Sequence, residues 1–348
     1  MHKNTLSRRK FLRASALAPA LALASHPLIG SPAILKYYGE QGSLIKGVQL
    51  GTISYSFRSM KDQSAEATLQ YILESGLSAV ELMGGPAETF AGCPTSSVSM
   101  RDLWGLTRKQ RDGKLSETEA EQLAEGRRQI NAFNKEVANW RANTSLDKFK
   151  ELRKMYQASG VKIYGYKPRA FGTENTDAEI NFAMQAARAL GASHVTVEHP
   201  SNDARTLKLG NMAKKNKIKI AYHGHEQQTP EFWNTALAQS KGNAMNPDMG
   251  HYIAAGNDQP LDLIRKHHRR ISSMHLKDRT TPANGRKNLL WGKGDTPIGD
   301  ILGLMEDNKY RFPATIELEY AIPEGSDAVK EVGRCLQFCR KRLLENKG

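Results

Sequence analysis

Five polar stretches in the C-terminal half of this chain each close a strand-like apolar run: VTVEH (195–199), IAYHGHE (220–226), NPDMGH (246–251), SMHLKD (273–278) and ATIELEY (314–320). Their carboxylates and imidazoles recur every 25 to 42 residues, about one strand–helix unit apart. A Glu, His, Asp, His, Glu series of this kind is the donor chemistry of a hard or borderline divalent ion such as Mn²⁺, Co²⁺, Mg²⁺ or Zn²⁺. Glu198, Asp248, His275 and Glu317 are the expected ligands of one such ion. They leave coordination positions open for substrate oxygens. His223, His225, His251 and Lys277 stand beside them as the expected acid–base and carbonyl-polarising groups. Glu319 faces the same way as Glu317 by the two-residue period of a strand, so either could complete the set.

Groups spread over so many strand ends need a scaffold that turns every strand end to one face. The pattern supplies eight strands: 48–57, 78–84, 161–168, 194–199, 219–226, 244–251, 271–278 and 313–320. Helical stretches alternate with them, among them 65–74, 177–190, 261–268, 298–307 and 329–344. Eight βα units predict a (β/α)8 TIM barrel, whose active sites lie at the C-terminal ends of the strands. An open dinucleotide-binding sheet would need a Gly-rich first turn, and GxGxxG is absent. Between strands two and three runs a polar, helix-patterned insertion, residues 86–143. It leaves from the catalytic face, as a lid or as a surface for a homo-oligomer. Trp104 and Trp140, near its ends, are its expected anchors.

Residues 1–24 are a different kind of sequence. Ser7-Arg8-Arg9-Lys10-Phe11-Leu12 precedes an Ala-rich apolar run that ends in Ala22-Leu23-Ala24. This resembles a twin-arginine signal peptide, which implies export of the folded protein to the periplasm. A linker (25–46) and the barrel (47–348) follow. The run is too short to span a bilayer stably, and no other stretch comes close, so no transmembrane segment is expected. The net charge is +14, and five unpaired cations in the first 24 residues account for part of it, leaving +9. The remainder is scattered along helices as solvated surface or a weak steering field, and no nucleic-acid partner is expected. Cys93, Cys335 and Cys339 do not make a disulfide framework, and no CxxC pair suggests zinc.

The second half resembles the xylose isomerase-like barrel superfamily of sugar isomerases, epimerases, inosose dehydratases and family-two apurinic endonucleases. Asp248-Met249-Gly250-His251 is similar to its strand-six signature, a metal Asp with a substrate-side His three residues on. His275-Leu276-Lys277-Asp278 resembles the strand-seven motif with its metal His, and Ile316-Glu317-Leu318-Glu319-Tyr320 the strand-eight motif with its Glu. The sequence departs from the pattern at strand five, where the isomerases carry a carboxylate and this chain has His223. Either His223 is a ligand, or Glu198 reaches across from strand four and the histidines face the substrate.

The resemblance implies a metal-dependent isomerase or epimerase that works through a stabilised enediolate on a small carbohydrate. Export argues for a non-phosphorylated sugar or keto-sugar. A lyase or hydrolase of 3-keto-glycosides on the same barrel is the alternative, and a non-catalytic periplasmic sugar-binding protein is a third reading. The endonuclease relatives use a larger, His-rich cluster.

Overall fold

The computed structural model describes residues 42–345. The signal stretch 1–24 and linker residues 25–41 lie outside the described residues. The last linker residues are built into the base of the barrel: Leu44–Ile45 pairs antiparallel with the first strand, and the Ser43 hydroxyl donates to the Leu50 carbonyl at 2.6 Å.

Eight strands follow: β1 (Val48–Ile53), β2 (Ala79–Met83), β3 (Lys162–Lys167), β4 (His194–Glu198), β5 (Lys219–His223), β6 (Asn243–Asn246), β7 (Met274–Leu276) and β8 (Ala314–Ile316). All neighbours pair in parallel in the order β6-β5-β4-β3-β2-β1-β8-β7. Parallel bridges Met245↔Ile271 and Asp248↔His275 close β6 onto β7. This is the expected (β/α)8 barrel.

All eight strands are shorter than their sequence patterns, and at three of them the local cause is plain. β1 gives way to a 3-10 turn at Ser54–Phe57. β6 stops at Asn246, because Pro247 has no N–H to donate and Asp248 caps a short helix. β8 stops at Ile316, so Glu317 to Tyr320 run on beyond the ladder toward the mouth.

The helices are α1 (Ala65–Glu74), α2 (Gly84–Phe90), α3 (Met100–Arg111), α4 (Glu117–Asn143), α5 (Asp147–Ala158), α6 (Asp177–Leu190), α7 (Asp203–Lys215), α8 (Asn234–Gln239), α9 (Met249–Ala254), α10 (Pro260–His267), α11 (Ile298–Asp307) and α12 (Ala328–Glu345). Their starts are chemically marked. Ser64 caps α1, while Ser116 with Glu119 and Thr176 with Glu179 form capping boxes on α4 and α6. Among the described residues, no helix is long and apolar enough to cross a membrane.

α3 and α4 form the insertion, tied down at the end of α4. In the last turn of α4, the buried Arg141 bonds both oxygens of Glu88 on α2 at 3.0 Å and Glu179 on α6 at 3.0 Å. Beside it Trp140 meets Phe182 edge-on at 5.7 Å. Trp104 was the other expected anchor, and the structure corrects this: it is 68% exposed, on a helix with no buried residue.

The hydrophobic core lies mainly between strands and helices, while the barrel axis is polar. Gly165 keeps that axis open: a Cβ there would lie 2.9 Å from His194 Nε2 and 3.1 Å from Glu81 Cγ.

Candidate metal centre

Asp248 shows how the local sequence builds the site. It is the N-cap of α9, and its Oδ1 accepts the His251 N–H at 2.8 Å, which pins the carboxylate. Oδ2 is thereby turned inward, buried and without a well-directed hydrogen bond, although Lys277 Nζ stands 3.0 Å away. Gly250 is required between Asp248 and His251, because a Cβ there would lie 2.7 Å from the Lys277 carbonyl. The D-x-G-H motif is thus a capped turn pressed against β7.

Period two places His275 and Lys277 on one face of β7 and its extension, and Glu317 and Glu319 on one face of the segment that leaves β8. His275 Nδ1 lies 2.9 Å from Glu317 Oε2, and Nε2 lies 3.3 Å from Glu81 Oε2. Burial alone would lower the His275 pKa, yet Glu81 and Glu317 push it up to about 10. Burial would likewise raise Glu317, but Lys277 and His275 hold it well below the usual carboxylate range. The Lys277 ammonium bridges Asp248 Oδ2 (3.0 Å), Glu317 Oε2 (2.8 Å) and Glu319 Oε2 (2.8 Å), and these carboxylates keep it charged against burial.

His223 occupies the fourth corner. Donor atoms of His223, Asp248, His275 and Glu317 all lie within 4.8 Å of one another, and all four residues are buried. Burial, then the nearby Lys167 and His275, hold His223 neutral, as a ligand must be. Two imidazoles and two carboxylates, with the inward Asp248 Oδ2 held only by the Lys277 ion pair, fit a divalent ion.

The structure thus brings three of the four expected ligands together and sets His223, not Glu198, among them. Glu198 ends β4 at the rim with its side chain half exposed, bonded to Lys167 at 2.7 Å and 3.6 Å from His225 Nδ1. β4 and β5 are in register, Glu198 beside His223, so their side chains leave the same face as neighbours; His223 is buried, while the Glu198 side chain is exposed at the rim. Glu198, His223 and His225 make a second, more open group.

His251 faces the mouth. Its Nδ1 accepts from Arg279 at 2.6 Å, so its proton is on Nε2, 3.9 Å from Glu319. Burial, Lys277, His225 and Arg279 lower its pKa to about 3, so it is a neutral donor at Nε2. Asp278 does not pair with Lys277. It accepts the amides of Gly292, Lys293 and Gly294 at 2.7–3.1 Å and anchors the Trp291–Gly294 loop at the rim.

Sequence reasoning passed over Glu81, Asn246 and Ser273, all buried. Glu81 did leave a signal, a lone carboxylate inside the apolar strand AVELM.

Comparison with known proteins now decides the family. The family model for the xylose isomerase-like TIM barrel matches residues 128–340. The chain belongs to that family.

Solved structures with the same barrel include a sugar phosphate isomerase/epimerase from Parabacteroides distasonis, with 15% identity, a TM-score of 0.54, and coverage of 86% of this chain and 96% of that one. A probable 3-DHS dehydratase from Bacillus anthracis shares 12% identity, a TM-score of 0.56 and coverage of 86% and 100%. A 3-keto-D-glucoside 4-epimerase from E. coli shares 10% identity, a TM-score of 0.54 and coverage of 84% and 99%. At these identities the likeness is one of fold. No curated protein sequence matches the chain.

Proposed function

We propose that this xylose isomerase-like protein is a divalent-metal-dependent isomerase or epimerase of a non-phosphorylated sugar or keto-sugar. The reading rests on one observation, the buried His223–Asp248–His275–Glu317 group at the C-terminal mouth of the barrel. We place the enzyme outside the cytoplasm, because residues 7–24 read as a twin-arginine signal.

The charge pattern supports a neutral substrate. Lys167, Lys277 and Arg279 border the centre, and each is already paired with a carboxylate: Glu198, Glu319 and Glu226 respectively. None of these three cations is left over for a phosphate.

His223, Asp248, His275 and Glu317 would hold the ion, with Glu81 accepting the His275 Nε2–H and leaving Nδ1 to ligate. When bound, the ion polarises the adjacent oxygens of an α-hydroxy ketone and acidifies the C–H between them. Lys277, tethered by Glu319 at 2.8 Å, would offer an N–H to a developing oxyanion. His251 donates from Nε2 to a substrate hydroxyl. His225, oriented by Glu198 at Nδ1, carries the transferred proton at Nε2.

The strand-five imidazole favours one further reading. Epimerisation with a glutamate on each side of the carbon lacks one of its pair here, whereas β-elimination from a 3-keto-glycoside needs one base and a donor for the leaving group.

The test is a screen of free sugars, keto-sugars and 3-keto-glycosides with Mn²⁺ or Co²⁺, products read by NMR. We expect rearranged sugar that disappears on chelation and with Asp248→Asn. Release of the aglycone assigns the lyase or hydrolase reading. Conversion that survives complete metal removal overturns the proposal.

A further inference from the structure

A chain of hydrogen bonds crosses the barrel from its N-terminal end to the metal centre. It begins at the backbone carbonyl of Tyr164, which can only accept. The Ser193 hydroxyl lies 3.0 Å away and donates to it. A hydroxyl has one proton, so Ser193 Oγ must accept from its other neighbour, His194 Nδ1, at 2.9 Å.

His194 is fully buried and neutral, its pKa lowered by burial to about 4. With its proton on Nδ1, its Nε2 is an acceptor, and the Ser273 hydroxyl donates to it at 2.8 Å in preference to Glu81 Oε2, which lies farther off at 3.4 Å. Ser273 Oγ therefore accepts from Asn246 Nδ2 at 2.7 Å. That orients the Asn246 amide, whose Oδ1 faces His223 Nδ1 at 2.7 Å and must accept its proton. His223 is left with a bare Nε2.

We propose that Ser273 and Asn246 are positioning residues that set the tautomer of His223, so that its Nε2 lone pair is presented to the ion before any ion arrives. The proposal extends the metal-centre reading, since it assigns His223 as a ligand by its protonation pattern as well as its place. A buried amide has two orientations of nearly equal shape, and here the Ser273 hydroxyl at 2.7 Å selects between them, with a weaker contribution from Glu81 Oε2 at 3.5 Å. Without that hydroxyl, the amide could turn its NH₂ toward His223 and move the ring proton to Nε2, which would block ligation. Partners of this kind are worth about 10- to 100-fold in metal affinity.

The tautomers can be read without ion or substrate, from long-range ¹H–¹⁵N correlations of the metal-free full chain labelled at histidine nitrogens, at pH 7.5. His194→Gln and His223→Gln provide the assignments. We expect the Nδ1–H tautomer for both His194 and His223. In Ser273→Ala, the His223 signal should move to the Nε2–H form or to a mixture, and Co²⁺ affinity should fall about 10-fold or more. Ser273→Thr, which keeps the hydroxyl, should restore both.

An Nε2–H His223 in the native protein overturns the proposal, as does a Ser273→Ala protein with native tautomers or native Co²⁺ affinity. If Ser273→Ala does not fold, the native tautomers decide the matter together with Ser193→Ala, which cuts the chain at its exposed end and should release the His194 tautomer. Absence of Co²⁺ binding by the native protein with both tautomers as expected would sink the metal reading and leave the hydrogen-bond chain standing.

Discussion

Removing the His275 imidazole leaves Glu81 fully buried and without its counter-charge, while Asn for Asp at 248 keeps the shape and the α9 cap while losing one anionic ligand. Both His275→Ala and Asp248→Asn should abolish metal retention, measured as ion bound per chain after gel filtration. They should differ in stability. His275→Ala should cost about 3–5 kcal/mol in urea unfolding, the usual cost of stranding a buried charge, and Asp248→Asn clearly less. Equal stability of the two variants would contradict the assignment of Glu81.

The strands and their order of motifs were legible, because an alternating or continuous apolar run followed by a polar cluster is a local pattern. The helices at 65–74, 177–190 and 298–307 begin and end where their periodicity places them, the first two behind the Ser64 and Thr176 caps. Less legible was which end-of-strand residue turns inward. Glu198 and His223 lie side by side on paired strands, and only the three-dimensional course of β4 and β5 puts the imidazole inside. The polar axis was missed for the same reason, since Ser273, Asn246 and His194 meet across the barrel and not along the chain.

The insertion offers a separate test at this scale. Arg141→Ala removes the cation that joins α4 to Glu88 and Glu179, and should cost about 3–5 kcal/mol. It should also open residues 92–143 to trypsin well before the barrel. Cleavage that begins in the barrel strands would contradict a hinge-like attachment at Arg141.

For the whole molecule, three histidines predict how stability depends on pH in the metal-free protein. His275 is raised to about 10 in the folded state, so its contribution is complete below pH 6.5 and is lost as pH rises toward 10. His251 at about 3 and His194 at about 4 act in the opposite sense: folded neutral, they are charged on unfolding in acid, and stability is lost as pH falls below 6.5. The urea midpoint should therefore peak near neutral pH and fall on both sides. Mn²⁺ should flatten the alkaline side, since His275 then serves as a neutral ligand. A metal-free midpoint that climbs from pH 7 to 10 would contradict the paired His275.

The central claim is that a metal-dependent proton transfer takes place at this mouth. Its most direct test is turnover of the best keto-sugar from the screen in D₂O with Mn²⁺ or Co²⁺, following deuterium by NMR at the carbon next to the carbonyl. The proposal predicts incorporation that stops when the ion is removed and slows about 10²-fold or more in His225→Gln. Metal-dependent turnover with no solvent deuterium in the product, and with label already on the substrate carried over intact, would mean a hydride shift and contradict it.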